Sequence, residues 1–169
     1  IAENKWKENF RVLLLTNHDQ GEIRQWALEA GFPLEKIISR FVMHHEVNDY
    51  MGLGDFAITP VKPIPTKRYC SPIKDGEYWA LGLPVIITKD ISDDSNIIQS
   101  ENIGAVLQDL TSDDYIKAIN KIDELLKEGR ELSIRISSVA KKYRSFEIAE
   151  AVYQQIYAAD FFKSTKKSS

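Results

Sequence analysis

Short apolar runs alternate along the chain with longer amphipathic stretches. The runs begin about 20 to 30 residues apart, which is the usual length of a strand followed by a helix. Continuous apolar runs without polar alternation are typical of strands buried on both faces of a parallel sheet. The predicted strands lie at residues 12–15, 37–38 continuing to 41–42, 56–58, 85–87 and 105–107. This pattern predicts a doubly wound α/β domain of about five parallel strands with helices on both faces.

The amphipathic stretches carry the start and stop residues of helices. Residues 21–30 end at Gly31, which suits the position just after a helix. A second helix is predicted from Ser112, whose hydroxyl would cap it, and ends before Gly129. A third begins near Ser145, as a helical extension after the sheet. Its spaced tyrosines and phenylalanines are more often core than membrane-facing. The apolar face of this helix consists of Ile148, Val152 and Ile156, widened by Ala149, Tyr153 and Tyr157.

A long connection separates the strand ending at Thr59 from the helix expected at Pro72. It holds four of the six prolines, whereas connections in such domains usually span about 2 to 6 residues. Ligands of open parallel sheets bind beyond the carboxyl ends of the strands. The connection should therefore face the same crevice as Asn17, which follows the first strand. Its basic residues are Lys62, Lys67, Arg68 and Lys74.

Composition excludes several classes of function. The 22 Lys and Arg residues against 25 Asp and Glu residues give a net charge of −3, which argues against a nucleic-acid partner. An apolar fraction of 43% is too high for a disordered chain. The single cysteine, Cys70, cannot form an internal disulfide, so we expect a cytoplasmic location. No apolar run approaches the roughly 20 residues that cross a bilayer.

The residues from Ser71 to Lys74 have the pattern of a helix start that binds an anion. Ser71 would cap the helix, Pro72 would be its first residue, and Ile73 and Lys74 would follow. A lysine in the first turn is opposed by the helix dipole, and a bound phosphate would remove that conflict. The alternative is that Lys74 pairs with Glu77 or Tyr78, or simply faces water.

Glu77 lies one helical turn after Lys74. A carboxylate can accept two hydroxyl hydrogen bonds at once, which suits a ribose diol. The alternative interpretation of Glu77 is an exposed helix carboxylate.

Residues 71–86, SPIKDGEYWALGLPVI, resemble a block found in the C-terminal, donor-binding domain of group 1 GT-B glycosyltransferases. The segment at residues 54–60 and the later strand from Asn102 to Val106 resemble the family in the same order. The resemblance covers roughly residues 10–160. It implies a Rossmann-like half of a GT-B fold, with residues 1–162 as the donor-binding domain. Residues 163–169 contain no apolar residue and are predicted to be a flexible tail.

The resemblance also assigns site residues. Glu77 is similar to the second glutamate of the family's E-x7-E motif and is implied to bind the nucleotide ribose. Tyr69 stands where the first glutamate would contact the donor sugar, so the sugar is left open. Residues 71–74 are implied to face the donor diphosphate and sugar, and Val42 and Met43 to offer backbone groups to the base. The implied ligand is a nucleotide-diphosphate sugar as substrate, with no cofactor.

The family's donor domain normally opens with one more strand and a turn that bears an arginine and a lysine. Here only ten residues precede Arg11, without such a turn. The implied N-terminal acceptor domain, which supplies the base in inverting members, is also absent, so the catalytic residues stay unknown. We therefore expect a glycosyltransferase in the whole protein and an inactive chain by itself. The alternatives are a domain of a nucleotide-sugar 2-epimerase and a non-catalytic α/β nucleotide-binding or receiver module.

Two further features are a pair of histidines and a C-terminal group of aromatic and lysine residues. His44 and His45 are adjacent, so their side chains diverge, and no metal site is expected. Near the C-terminus, aromatic residues are followed by lysines, which could give a weak contact with a bilayer surface. These residues are Phe161, Phe162, Lys163, Lys166 and Lys167.

Overall fold

The computed structural model describes Trp6, residues 9–62 and residues 64–158. It is a mixed α/β structure with five strands in this part of the chain. The strands are β1 (Val12–Leu15), β2 (Ile37–Arg40), β3 (Ala57–Thr59), β4 (Val85–Thr88) and β5 (Gly104–Leu107). The apolar runs thus predicted the position of every strand described, although β2 ends before Phe41 and Val42.

Seven α-helices are described, together with three short 3₁₀ turns at Leu34–Lys36, His44–Glu46 and Pro65–Tyr69. The helices are α1 (Gln20–Glu29), α2 (Val47–Met51), α3 (Ile73–Ala80), α4 (Asp94–Glu101), α5 (Ser112–Leu126), α6 (Arg130–Arg144) and α7 (Phe146–Ala158). As predicted, α1 is followed by Gly31, which has a φ of 62°. The cap of α5 was predicted one residue too late, because the Thr111 hydroxyl accepts the Asp114 N–H.

The described strands form two parallel sheets, so the predicted parallel pairing is confirmed, while one sheet of about five strands stays a prediction. β1 pairs with β2, and β3, β4 and β5 pair in that order. The register places Val85 beside Ala57 on one edge and beside Gly104 on the other. Within the described residues, β1 and β3 each have a partner on one edge only. Pairing between strands is a long-range property, and an apolar run does not encode it.

The main core lies on the three-stranded sheet. Trp79 of α3, Ile98 of α4, Ile122 of α5 and Ile136 of α6 are fully buried there together with β4. α3 packs against α6, while α4 and α5 contact β5. The carboxyl ends of β3 and β4 and the amino ends of α3 and α4 therefore meet at one edge of this sheet.

The last described helix does not pack as expected. Ile148, Val152 and Ile156 of α7 form the predicted stripe, but all three are exposed. The prediction that this face belongs to the core is therefore wrong for the described structure, because α7 leaves α6 at Ser145 and contributes no buried residue. The predicted tail at 163–169 and the phenylalanines and lysines from Phe161 onward lie outside the described residues. Among the described helices, none has both the length and the apolar character to cross a membrane.

Candidate functional site

A hydrogen bond joins the start of α3 to the carboxyl end of β3. The Thr59 hydroxyl, on the last residue of β3, donates to Asp75 Oδ1 over 2.7 Å. Asp75 lies in the first turn of α3 and is fully buried. The bond sets the first turn of α3 at the edge of the sheet where ligands of parallel α/β proteins bind.

The helix start differs from the sequence prediction by one residue. Pro72 has an extended backbone, with φ −71° and ψ 100°, so it is the N-cap and Ile73 is the first helical residue. The Pro72 carbonyl accepts the Asp75 N–H at 3.0 Å. Ser71 therefore does not cap α3, whose N-terminus has no side-chain cap. Ser71 and Ile73 are exposed, and Pro72 is half-buried.

Lys74 and Glu77 contact each other in this ligand-free structure. The Lys74 ammonium lies 2.7 Å from Glu77 Oε2, with 53% and 32% of the two side chains exposed. This is the alternative that the sequence left open for Lys74. Exposed pairs at this spacing contribute only a few tenths of a kcal/mol, so an anion at the helix start can compete for the lysine.

The residues expected to contact the base have different environments. Val42 is half-buried, and Met43 is exposed. The backbone N–H of Met43 already donates to Glu46 Oε2 at 2.9 Å, and its carbonyl accepts the Glu46 N–H. Its backbone is therefore used within the His44–Glu46 turn. Asn17 is exposed in the loop after β1, as expected for the end of a strand.

The proline-rich connection is joined to the loop between β4 and α4. Arg68, in the Pro65–Tyr69 turn, accepts the Ser92 N–H through its carbonyl at 2.9 Å. Ser92 and Asp90 both have positive φ, at 48° and 59°. Two such residues without glycine mark a backbone held by its surroundings. Tyr69, at the departure from the E-x7-E motif, is 87% exposed.

A partly buried cluster of one arginine and two aspartates lies beside α3. Arg144, the last residue of α6, donates to Asp93 at 2.9 Å and also to Asp94, which is fully buried at the start of α4. Its guanidinium lies over the Trp79 ring, 5.4 Å from the centroid. Burial raises the pKa of Asp94, although the charge of Arg144 opposes this. For Asp93, burial is the largest single cause and raises the pKa, but the hydrogen bonds from Arg144 and Ser92 and the charge of Arg144 together lower it.

The sequence pattern does not distinguish Asp75, Asp94 or Arg144 from ordinary surface residues. A signal for part of this cluster was present, because Leu132, Ile136, Val139 and Ala140 have helical spacing and predict α6, of which Arg144 is the last residue. The two buried aspartates gave no such signal. Acids in the first turn of a helix are common on exposed surfaces.

Other kinds of site are not evident in the described part of the chain. No group of three or more His, Cys, Asp or Glu residues there could hold a metal ion. A groove elsewhere runs along β5, bordered by Gly104, Val106, Lys117 and Lys121, and none of the candidate residues lines it.

The start of α3 offers groups that can bind an anion and hydroxyl groups. These are a lysine, a glutamate and the free N–H groups of the helix.

No family model matches this chain, and no curated protein or solved structure matches it. The resemblance of residues 71–86 therefore rests on those residues and on their place at the start of α3 and β4.

Proposed function

We propose that this chain is the donor-binding part of a glycosyltransferase that transfers a sugar from a nucleotide-diphosphate sugar to an acceptor. The observation that carries the proposal is the placement of Lys74 and Glu77. Both lie on the first turns of α3, beside the carboxyl end of β3. That edge is where parallel α/β sheets bind nucleotides.

The two side chains have complementary roles in this proposal. Lys74 and the N-terminus of α3 stabilise the negative charge on the departing diphosphate, and Glu77 accepts hydrogen bonds from the ribose hydroxyls. Donor binding exchanges the Lys74–Glu77 ion pair for these two contacts. Breaking the ion pair costs little free energy, because the lysine is half-exposed and the pair is surface-accessible.

The strands are consistent with a larger doubly wound sheet in the whole protein. The resemblance implies one more strand, with an arginine and lysine turn, before β1. Within the described residues, β1 is bonded to β2 and β3 to β4, so each has one free edge for such a strand. In this proposal the two sheets are parts of one Rossmann-like sheet, and the acceptor domain completes the catalytic site.

Titration with nucleoside monophosphates and diphosphates of each base tests the proposal. We expect a diphosphate to bind more tightly than its monophosphate, and Lys74→Ala to reduce that preference, less so at high salt. Glu77→Gln should weaken binding about tenfold, because charge-assisted bonds become neutral ones. This loss should disappear with a dideoxy nucleotide, which lacks the ribose diol.

The chain contains a matched control for both variants. Glu124, in the last turn of α5, and Lys127, just after it, form an ion pair with the same spacing and the same 2.7 Å distance, where no site is proposed. Lys127→Ala and Glu124→Gln should leave nucleotide affinity unchanged. Equal affinities for the wild type and the Lys74 and Glu77 variants, or no binding of any nucleotide, would contradict the donor-site proposal.

A further inference from the structure

The carboxyl group of Asp75 is fully buried but has little to stabilise a negative charge. Oδ1 accepts one hydrogen bond, from the Thr59 hydroxyl at 2.7 Å. Oδ2 accepts none from the described residues. An ionised carboxylate without water needs several donors or a direct cation, and a single neutral hydroxyl is a poor substitute.

The charged groups around Asp75 do not supply that cation. From α4 it faces the buried carboxylate of Asp94, and from α6 it faces Arg144. The guanidinium of Arg144 donates to Asp93 and Asp94 and makes no hydrogen bond to Asp75. On its own helix, Lys74 is bonded to Glu77.

These surroundings favour the neutral form of Asp75. Burial is the main cause that raises its pKa, and the negative charge of Asp94 adds to it. The Thr59 hydrogen bond and the charge of Arg144 act in the opposite direction without cancelling the effect of burial. The result is a pKa of about 6 instead of 3.8.

We propose that Asp75 is a buried proton-binding switch, neutral in mildly acidic solution and ionised near neutrality, which loosens α3 against β3 and α6 as the pH rises. Asp75 connects the start of α3 to Thr59, so a change at its carboxyl acts on the first turn of that helix. The ionised carboxylate of Asp75 is stabilised most by contact with water. Such contact requires the first turn of α3 to move outward. The inference is independent of the proposed nucleotide site.

The direction of the pH effect follows from proton linkage. The folded chain holds the Asp75 proton more tightly than the unfolded chain, because the pKa is raised on folding. This contribution to stability is fully present at low pH, declines between about pH 4 and about pH 6, and is absent above that range. Between pH 5 and pH 7.5 it corresponds to about a tenfold decrease in the folding equilibrium constant.

Urea denaturation of the ligand-free protein at pH 5, 6 and 7.5 tests the switch. Asp75→Asn keeps the side-chain oxygen that accepts the Thr59 hydrogen bond, but it cannot ionise. The folding equilibrium constant of the variant, divided by that of the wild type, should therefore increase about tenfold from pH 5 to pH 7.5. Asp113→Asn is the matched control, since Asp113 is an exposed acid in the first turn of α5. Its difference from the wild type should stay constant over this range.

A direct measurement covers the case in which Asp75→Asn does not fold. The side-chain carboxyl ¹³C resonance of Asp75 in the wild type should titrate with a midpoint near pH 6. Amide exchange of α3 should be faster relative to α5 at pH 7.5 than at pH 5, after correction for intrinsic rates. A midpoint below about 4.5, or α3 protection that follows α5 at both pH values, would overturn the inference. No nucleotide is present in these experiments, so their failure would not affect the donor-site proposal.

Discussion

The three-stranded and two-stranded sheets begin from similar sequences and bury them to different extents. Val85–Thr88 of β4 is buried at all four positions, whereas Val12–Leu15 of β1 is half-exposed at all four. In β2, Ile38 is 40% exposed. The runs are about equally apolar, so hydrophobicity by itself does not explain the difference. The number of neighbouring strands and helices explains it, because β4 has a strand on each edge and is packed against α3 and α4.

The helices reinforce this contrast. α3, α4, α5 and α6 each place side chains in the core of the three-stranded sheet. In the two-stranded region, α1 buries only Ile23 and Ala27, while its Trp26 and Leu28 are exposed. A two-stranded parallel sheet with few buried neighbours buries little apolar area and gains little stability from it. We therefore expect substitutions at comparable positions to affect the two regions unequally.

The largest expected effect comes from glycine substitutions. A Cβ at Gly104 would collide with the carbonyl oxygen of Val85 and lie 3.0 Å from its nitrogen. Gly104→Ala should therefore separate β4 from β5 and reduce the free energy of unfolding by about 4 kcal/mol or more. In the other region, Gly31→Ala meets nothing within 4 Å and should cost only about 1 kcal/mol, from its positive φ.

Urea denaturation monitored by circular dichroism measures both variants. Equal losses for Gly104→Ala and Gly31→Ala would contradict the inference that β4 and β5 leave no room for a Cβ atom at Gly104.

A second comparison removes the same atoms from both sheets. Ile86 in β4 is fully buried, and Ile38 in β2 is 40% exposed. Ile86→Ala should reduce the free energy of unfolding by about 3 to 4 kcal/mol, through lost burial and the remaining cavity. Ile38→Ala should cost about 1 kcal/mol or less, because its neighbours and water can fill the space. A loss for Ile38→Ala close to that for Ile86→Ala would show that the two-stranded region is packed by a surface outside the described residues.

The contrast also explains what the sequence could predict. The five strands were predicted because each contains a short, continuous apolar run, although only β4 is buried at every position. The end of α1 was predicted because only glycine adopts the φ of Gly31 easily. The division of the strands into two sheets was not predicted, because strand pairing joins residues that are far apart in sequence. For the same reason the stripe of α7 was interpreted as core, since a stripe shows which face is apolar and not whether anything covers it.

The candidate site also contains residues that the sequence could predict and residues that it could not. Lys74 and Glu77 were found from their spacing on one helix, and their ion pair was one of the predicted alternatives. Asp75 accepts a hydrogen bond from Thr59, sixteen residues earlier, and is affected by the charge of Arg144, far later in the chain. In the sequence Asp75 has the pattern of an ordinary acid in the first turn of a helix. Its unusual environment arises only when α3, α4 and α6 come together.

The smallest effect is expected to be the same in both regions. Asp19 caps α1 by accepting the Gly21 N–H at 2.6 Å, and Thr111 caps α5 by accepting the Asp114 N–H at 3.3 Å. Each cap satisfies backbone groups of its own helix, so its contribution does not depend on how deeply the sheet is buried. Asp19→Ala and Thr111→Ala should each destabilise their helix by about 1 kcal/mol.

Hydrogen exchange of the α1 and α5 amides measures these two losses separately, with Asp19→Asn and Thr111→Ser as variants that retain a cap. Equal losses would show that the helix caps contribute the same stability in both regions. The packing of strands and helices would then account for the difference in stability between the regions. A loss in one helix several times that in the other would mean that the caps also carry tertiary packing, and the contrast between the two sheets would no longer follow from burial alone.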